Sequence, residues 1–166
     1  MKGLIVYDSM YGNTEKIALA IGKGLGRPEA ILVKRVGEVK PEHFTGLDLL
    51  VIGSPTQRFQ PTVATSNLLK EIPQNSLQGT RVAVFDTRLT EAWIKKTPVL
   101  AFFVRIFGQS AYAAKGMANK LKRLGGELTA PAEGFYVEDT QGPLVAGELE
   151  RAVEWAKQIK AALPSQ

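Results

Sequence analysis

Tyr7-Asp8-Ser9-Met10-Tyr11-Gly12-Asn13-Thr14-Glu15-Lys16 (YDSMYGNTEK) stands between an apolar run and a helical pattern. Upstream, Gly3 to Tyr7 is apolar without alternation, which predicts a strand buried on both faces. Downstream, Ile17, Ala20, Ile21 and Leu25 recur at helical spacing. A helix start leaves backbone N–H groups unpaired and carries partial positive charge, so it attracts an anion. Ser9 and Thr14 add hydroxyl donors, Asn13 adds an amide, and Gly12 lets the backbone approach closely. Lys16, the nearest basic residue, falls beyond the turn. Such a cradle would hold a phosphate mainly by neutral donors. A Walker loop (Gly-Lys-Ser/Thr) and a G-x-G-x-x-G fingerprint are both absent. The plainer alternative is that Ser9 and Asn13 only cap the helix.

The pattern repeats along the chain. Ala30 to Arg35 reads as a second strand, Leu49 to Gly53 as a third and Arg81 to Phe85 as a fourth. A fifth runs from Leu128 through Val137, interrupted at Pro131. Val63 to Ile72 is a helix stopped by Pro73. Met117, Leu121 and Leu124 form one helical face before Gly125-Gly126, and Leu149 to Ile159 give the last helix. Strands alternating with helices predict right-handed crossovers and a three-layer, doubly wound, five-stranded parallel α/β sheet. Ligands of such sheets lie beyond the carboxyl ends of the strands, near the switch in strand order. No linker, repeat or low-complexity tract divides residues 1–166, so one domain is expected.

Composition narrows the chemistry. The 166 residues hold no cysteine and one histidine, His43. This removes thiolate metal sites and cysteine nucleophiles and leaves little for a histidine-based metal site or a Ser-His-Asp triad. No apolar run approaches about 18 residues, so no membrane span is expected. The opening MKGLIVYDS lacks a cleavage pattern, so no signal peptide is expected either. The net charge of +5 is concentrated. Asp86 to Gly125 holds eight basic and two acidic residues, against 13 and 14 elsewhere. Such a patch suits an anionic partner or surface. With no recognisable nucleic-acid module behind it, no nucleic-acid binding is expected.

YDSMYGNTEKIA resembles the phosphate loop of the flavodoxin family, a Ser/Thr followed after a few residues by Gly-Asn-Thr at the first helix. VIGSPTQRFQPT, after the third strand, and VFDTR, ending the fourth, resemble that family's second and third flavin loops. GFYVEDTQGPLVAGELERAVEWAKQI resembles its fifth strand and final helix. The likeness covers nearly all the chain except about residues 89–108. It implies a flavodoxin-like fold and non-covalently bound flavin mononucleotide (FMN). Ser9, Met10, Tyr11, Gly12, Asn13 and Thr14 would take the phosphate. Pro55, Thr56, Gln57, Arg58 and Phe59, with Asp86, Thr87 and Arg88, would flank the isoalloxazine ring. There are departures. The aromatic residue often stacked on the flavin is replaced near Gln57 and Arg58, leaving Phe59 either to stack or to cover the core. No glycine lies between Ser54 and Thr65, where many relatives use one for a peptide flip beside the flavin. Arg58 and Arg88 stand near the ring or point to solvent.

The segment outside the likeness, AWIKKTPVLAFFVRIFGQS, reads as an added apolar helix within about residues 91–108. Thr97 is its N-cap, Pro98 its first turn and Gly108 its stop. Leu100, Phe103, Val104 and Phe107 make one face; Val99, Phe102 and Ile106 cover much of the other. A helix apolar nearly all round must be buried somewhere. Three homes are open: a lid over the flavin, a homo-oligomer contact, or a peripheral membrane contact through residues 93–107.

The resemblance implies an electron carrier working with redox partner proteins, cytoplasmic or peripheral at the membrane. The enzyme alternative is an FMN-dependent oxidoreductase acting on a quinone or similar acceptor at a membrane surface. The third reading is a flavin-free interaction domain that kept the fold.

Overall fold

The computed structural model describes residues 1–26, 29–108 and 112–164. Strands β1 (Gly3–Tyr7), β2 (Ile31–Arg35), β3 (Leu49–Pro55) and β4 (Arg81–Leu89) lie parallel in the order β2-β1-β3-β4. Adjacent register is unbroken: Gly3 pairs with Ile31 and Leu49, and Leu49 with Arg81. The fifth position is shared by two short strands, β5 (Glu127–Leu128) and β6 (Glu133–Val137). β5 pairs with Arg81 and Val82, and β6 with Phe85 to Leu89, both parallel to β4. The single interrupted fifth strand expected from the sequence is therefore two segments. Pro131, with no N–H to give the ladder, lies in the break.

The unbroken apolar runs divide residue by residue. On one face Leu4, Val6, Leu50, Ile52, Val82 and Val84 pack on helices α2 (Val63–Glu71) and α5 (Ala113–Arg123). On the other Ile5, Tyr7, Val51, Ala83 and Phe85 pack on α1 (Asn13–Leu25) and α6 (Glu148–Ala161). Alternate side chains of β1, β3 and β4 thus fill two cores, giving three layers. Arg151 locks α6 to β6, its Nη1 donating to Glu133 (2.8 Å) beneath a cation–π contact with Phe135.

The added segment forms two helices, not one: α3 (Glu91–Lys95) and α4 (Pro98–Phe107). The Thr90 hydroxyl accepts from Trp93 N–H and caps α3. Thr97 stands at the N-cap of α4, but its side chain makes no capping bond. Gln109 and Ser110, at the end of the expected segment, lie outside the described residues. No helix among the described residues is long and apolar enough to cross a membrane.

Candidate functional site

The strand order reverses between β1 and β3, and the loops leaving their carboxyl ends surround a cavity of about 420 Å3. At one end stands the first turn of α1. Gly12 is its N-cap, at φ 82°, a left-handed conformation that glycine adopts without steric cost. No side chain caps this turn, and the first intrahelical bond runs from Lys16 N–H to Gly12 O (3.1 Å). The N–H groups ahead of it stay available to an anion. The capping alternative for Ser9 and Asn13 therefore fails.

The loop side chains divide their work. Asn13 Nδ2 donates to Gln141 O (3.0 Å), tying the loop to the segment before α6. The Thr14 and Thr87 hydroxyls share a hydrogen bond (2.8 Å), which uses one of their two protons and leaves the other to donate. Ser9 Oγ is buried with no hydrogen-bond partner. An unmade bond of this kind costs roughly 1–3 kcal/mol, which an arriving ligand oxygen would recover. Tyr7 donates to Glu15 (2.9 Å), bracing strand against helix; burial, then this bond, push its pKa up to about 12.

Sequence reasoning missed Arg35. From β2, paired with β1, it donates to Ser9 O (2.6 Å) and stands 3.7 Å from Asp8. A cation therefore braces the loop that the sequence furnished only with neutral donors. The register Tyr7↔Arg35 is what brings it there.

The second loop turns without glycine. Gln57 and Gln60 exchange two backbone hydrogen bonds of 2.8 Å, and Arg58 (φ 47°) and Phe59 (φ 68°) occupy the left-handed region between them. Such hairpins ordinarily take Asn-Gly at these positions, and a non-glycine residue there carries about 1 kcal/mol of strain or more. Arg58→Asn is expected to raise stability by about 0.5–1 kcal/mol; urea denaturation with no gain in midpoint would count against strain at this position. Arg58 is largely exposed at the cavity wall. Phe59 meets Phe103 of α4, with ring centroids 5.6 Å apart. Gln57 contacts Met10 Sδ, joining the first and second loops.

Met10, Tyr11, Ser9, Asn13, Thr14, Pro55, Thr56, Gln57, Arg58, Phe59, Thr87 and Arg88 all line the cavity. Asp86 does not. It is fully buried, accepting from Arg88 Nε (2.5 Å) and from Ala114 N–H (2.8 Å) at the start of α5. Asp86 and Arg88, two apart on β4, point to the same face. Burial pushes the Asp86 carboxyl above its ordinary range, opposed by the charge and hydrogen bond of Arg88. Arg88 does not reach out to solvent. It is 7% exposed and lies 3.8 Å from the centre of the Tyr112 ring. Gly134 makes that room, since a Cβ there would fall 2.3 Å from the guanidinium.

The remaining wall comes from outside the three loops: Trp93 and Ile94 of α3, Leu100 and Val104 of α4, with Leu89, Tyr112, Val137 and Thr140. Trp93 Nε1 also donates to Asp139 (3.2 Å). The added segment thus roofs the cavity with its inner side. Its apolar pattern signalled burial, but not where.

An uncapped helix start, an unsatisfied hydroxyl and a cavity of this volume fit a phosphate ester attached to a flat apolar group. No curated protein matches the sequence significantly. Among solved structures, an archaeal flavodoxin shares 21% identity over 97% of both chains, with a TM-score of 0.74. Flavodoxin 2 of Bacillus cereus shares 21% over 97% of this chain and 99% of its own, at 0.69. Rubredoxin oxygen:oxidoreductase of Desulfovibrio gigas shares 18%, covering 97% of this chain and 35% of its own, at 0.70. These identities speak for the fold alone. A sequence model of the flavodoxin family, however, matches residues 5–155, and the chain belongs to that family.

Proposed function

We propose that this chain is an FMN-dependent electron carrier that shuttles electrons between redox partner proteins. The family and fold support an FMN-binding electron-transfer protein in general terms. The observation that carries the specific reading is the cavity itself: anion-binding backbone at one end and an apolar roof at the other, beyond the carboxyl ends of β1, β3 and β4. The first turn of α1, with Ser9, Gly12 and Thr14, would hold the phosphate, and Asn13 would fix the turn to Gln141. Pro55 to Phe59, with Thr87 and Arg88, would flank the ring. Bound FMN supplies the redox chemistry, and the protein tunes it by packing, hydrogen bonding and charge. Arg88 borders the cavity as the cationic half of its buried pair with Asp86. Trp93, Ile94, Leu100 and Val104 exclude water, and the basic segment after β4 favours partners with an acidic docking face.

The test is the visible spectrum of the purified chain, with and without added FMN, followed by anaerobic reduction. A protein that is colourless and fails to bind FMN would end this reading. Ser9→Ala is expected to weaken FMN binding about tenfold or more, the worth of one hydrogen bond to a charged group. It should leave the flavin-free protein more stable, by up to about 1–3 kcal/mol, because it removes a buried hydroxyl that has no partner. Calorimetric titration with FMN and thermal melting measure the two effects separately.

The apolar roof also favours a second reading, an FMN-dependent oxidoreductase acting on a quinone or similar acceptor. Steady-state turnover of NAD(P)H or a quinol without any added protein would establish it; absence of turnover leaves the carrier.

A further inference from the structure

The outer side of α4 is uncovered. No residue of this helix is buried, and Val99, Phe102, Ile106 and Phe107 are 54–66% exposed. Of the twelve large apolar side chains exposed among the described residues, five sit on these ten residues, so this is a patch and not a scatter. Exposed Lys95, Lys96 and Arg105 border it. Among the described residues none of the three has an ion-pair partner. From residue 92 to 126 the sequence holds seven lysines and arginines and no acidic residue.

We infer that the outer face of α3 and α4 docks on an anionic lipid surface. Apolar side chains at the centre of the patch would enter the acyl boundary while the bordering cations meet headgroup phosphates, the pairing of two signals that reversible anchoring requires. Charge decides against a second copy of the chain. A twofold contact through α4 would bring the cations of Lys95, Lys96 and Arg105 toward those of the other copy, with Glu91 at the start of α3 the one carboxylate on the two helices. Size decides the same way, because one ten-residue helix face falls short of the roughly 800 Å2 per partner of a stable dimer. Spanning is excluded by length: ten residues rise about 15 Å, half the hydrocarbon core. The all-round apolar character of α4 then has a cause on each side. Leu100 and Val104 face the cavity, and Val99, Phe102, Ile106 and Phe107 face lipid. The inference does not rest on FMN binding, and its test does not need it.

Vesicle flotation of the full-length chain tests it, using phosphatidylcholine vesicles with and without phosphatidylglycerol. The protein should float with the anionic vesicles, sediment with the neutral ones, and release as salt is raised. Lys95→Gln, Lys96→Gln and Arg105→Gln together should weaken partitioning about 100-fold, at about 1 kcal/mol per cation near the surface. Phe102→Ser with Phe107→Ser should abolish it while lowering the melting temperature only modestly, since both rings are more than half exposed and their ring contacts are with Phe103. Should that pair not fold, the lysine and arginine variant and the salt titration still decide. Equal partitioning into both vesicle types, or none into either, overturns the inference. So does a dimer in light scattering that the paired serine variant converts to monomer, which would assign the face to a second copy.

Discussion

Asp86→Ala is expected to cost about 3–5 kcal/mol of stability. Asp86 is fully buried and Arg88 nearly so, 2.5 Å away. Alanine would leave the guanidinium buried without its carboxylate and remove the acceptor of Ala114 N–H. Domains of this kind hold only about 5–15 kcal/mol in total, so the variant should unfold at much lower urea. The pair Asp86→Val, Arg88→Met should recover most of the loss, because neutral side chains closer in bulk to the originals carry no desolvation cost. A double variant as unstable as the single would refute an origin in the stranded cation. The pH profile supplies a second readout. Burial raises the Asp86 carboxyl pKa, so the folded chain binds this proton more tightly than the unfolded chain does. The resulting stability is fully present below the ordinary carboxylate pKa and is lost as pH rises through the raised value. Asp86→Asn should lack that decline.

Gly53→Ala is expected to cost about 3 kcal/mol, at the upper end for overpacking. A Cβ at this position falls 2.0 Å from Phe85 Cζ and within 2.5 Å of two neighbouring ring carbons. The ring cannot retreat cheaply. It is fully buried, edge-on to Phe135 at 5.9 Å and to Trp155 at 6.3 Å. Displacing it disturbs one whole side of the sheet, and Trp155 fluorescence in a urea titration would report the change. Phe85→Leu in the alanine background should restore part of the loss, since two clashing neighbours do not act additively. Unaltered stability in Gly53→Ala would mean that the strand ends are looser than their burial indicates.

The centre of the sheet was legible because β1, β3 and β4 are covered on both sides. A strand such as Leu49 to Gly53 then has no polar position to obscure its limits, and helical spacing resumes directly beyond the loops. The two-part fifth strand was visible only as an interruption, because Pro131 announces a missing donor but not where pairing resumes. The first and second loops announced their residues by type and order. They did not announce which atoms were already engaged. Asn13 bonds to Gln141, 128 positions away, and Arg35 reaches Ser9 only through strand adjacency. The Asp86–Arg88 pair carried a readable signal, opposite charges two apart where β4 is otherwise apolar, since alternate residues of a strand share a face. The apolar roof was legible as a need for cover. Its division between cavity and exterior depends on the turn at Lys96 and Thr97, which no spacing rule encodes.

That division bears on how a cofactor enters and leaves. α4 contributes no buried residue; the segment is held by the buried Ile94 of α3, by Trp93 to Asp139 and by Phe59 to Phe103. None of these residues belongs to either core of the sheet, so opening the segment would expose the cavity with both cores packed, and loading would then be separable from global unfolding. A surface docked on the outside of the roof would then slow that exchange, and residence of a cofactor would be a property of surroundings as much as of affinity.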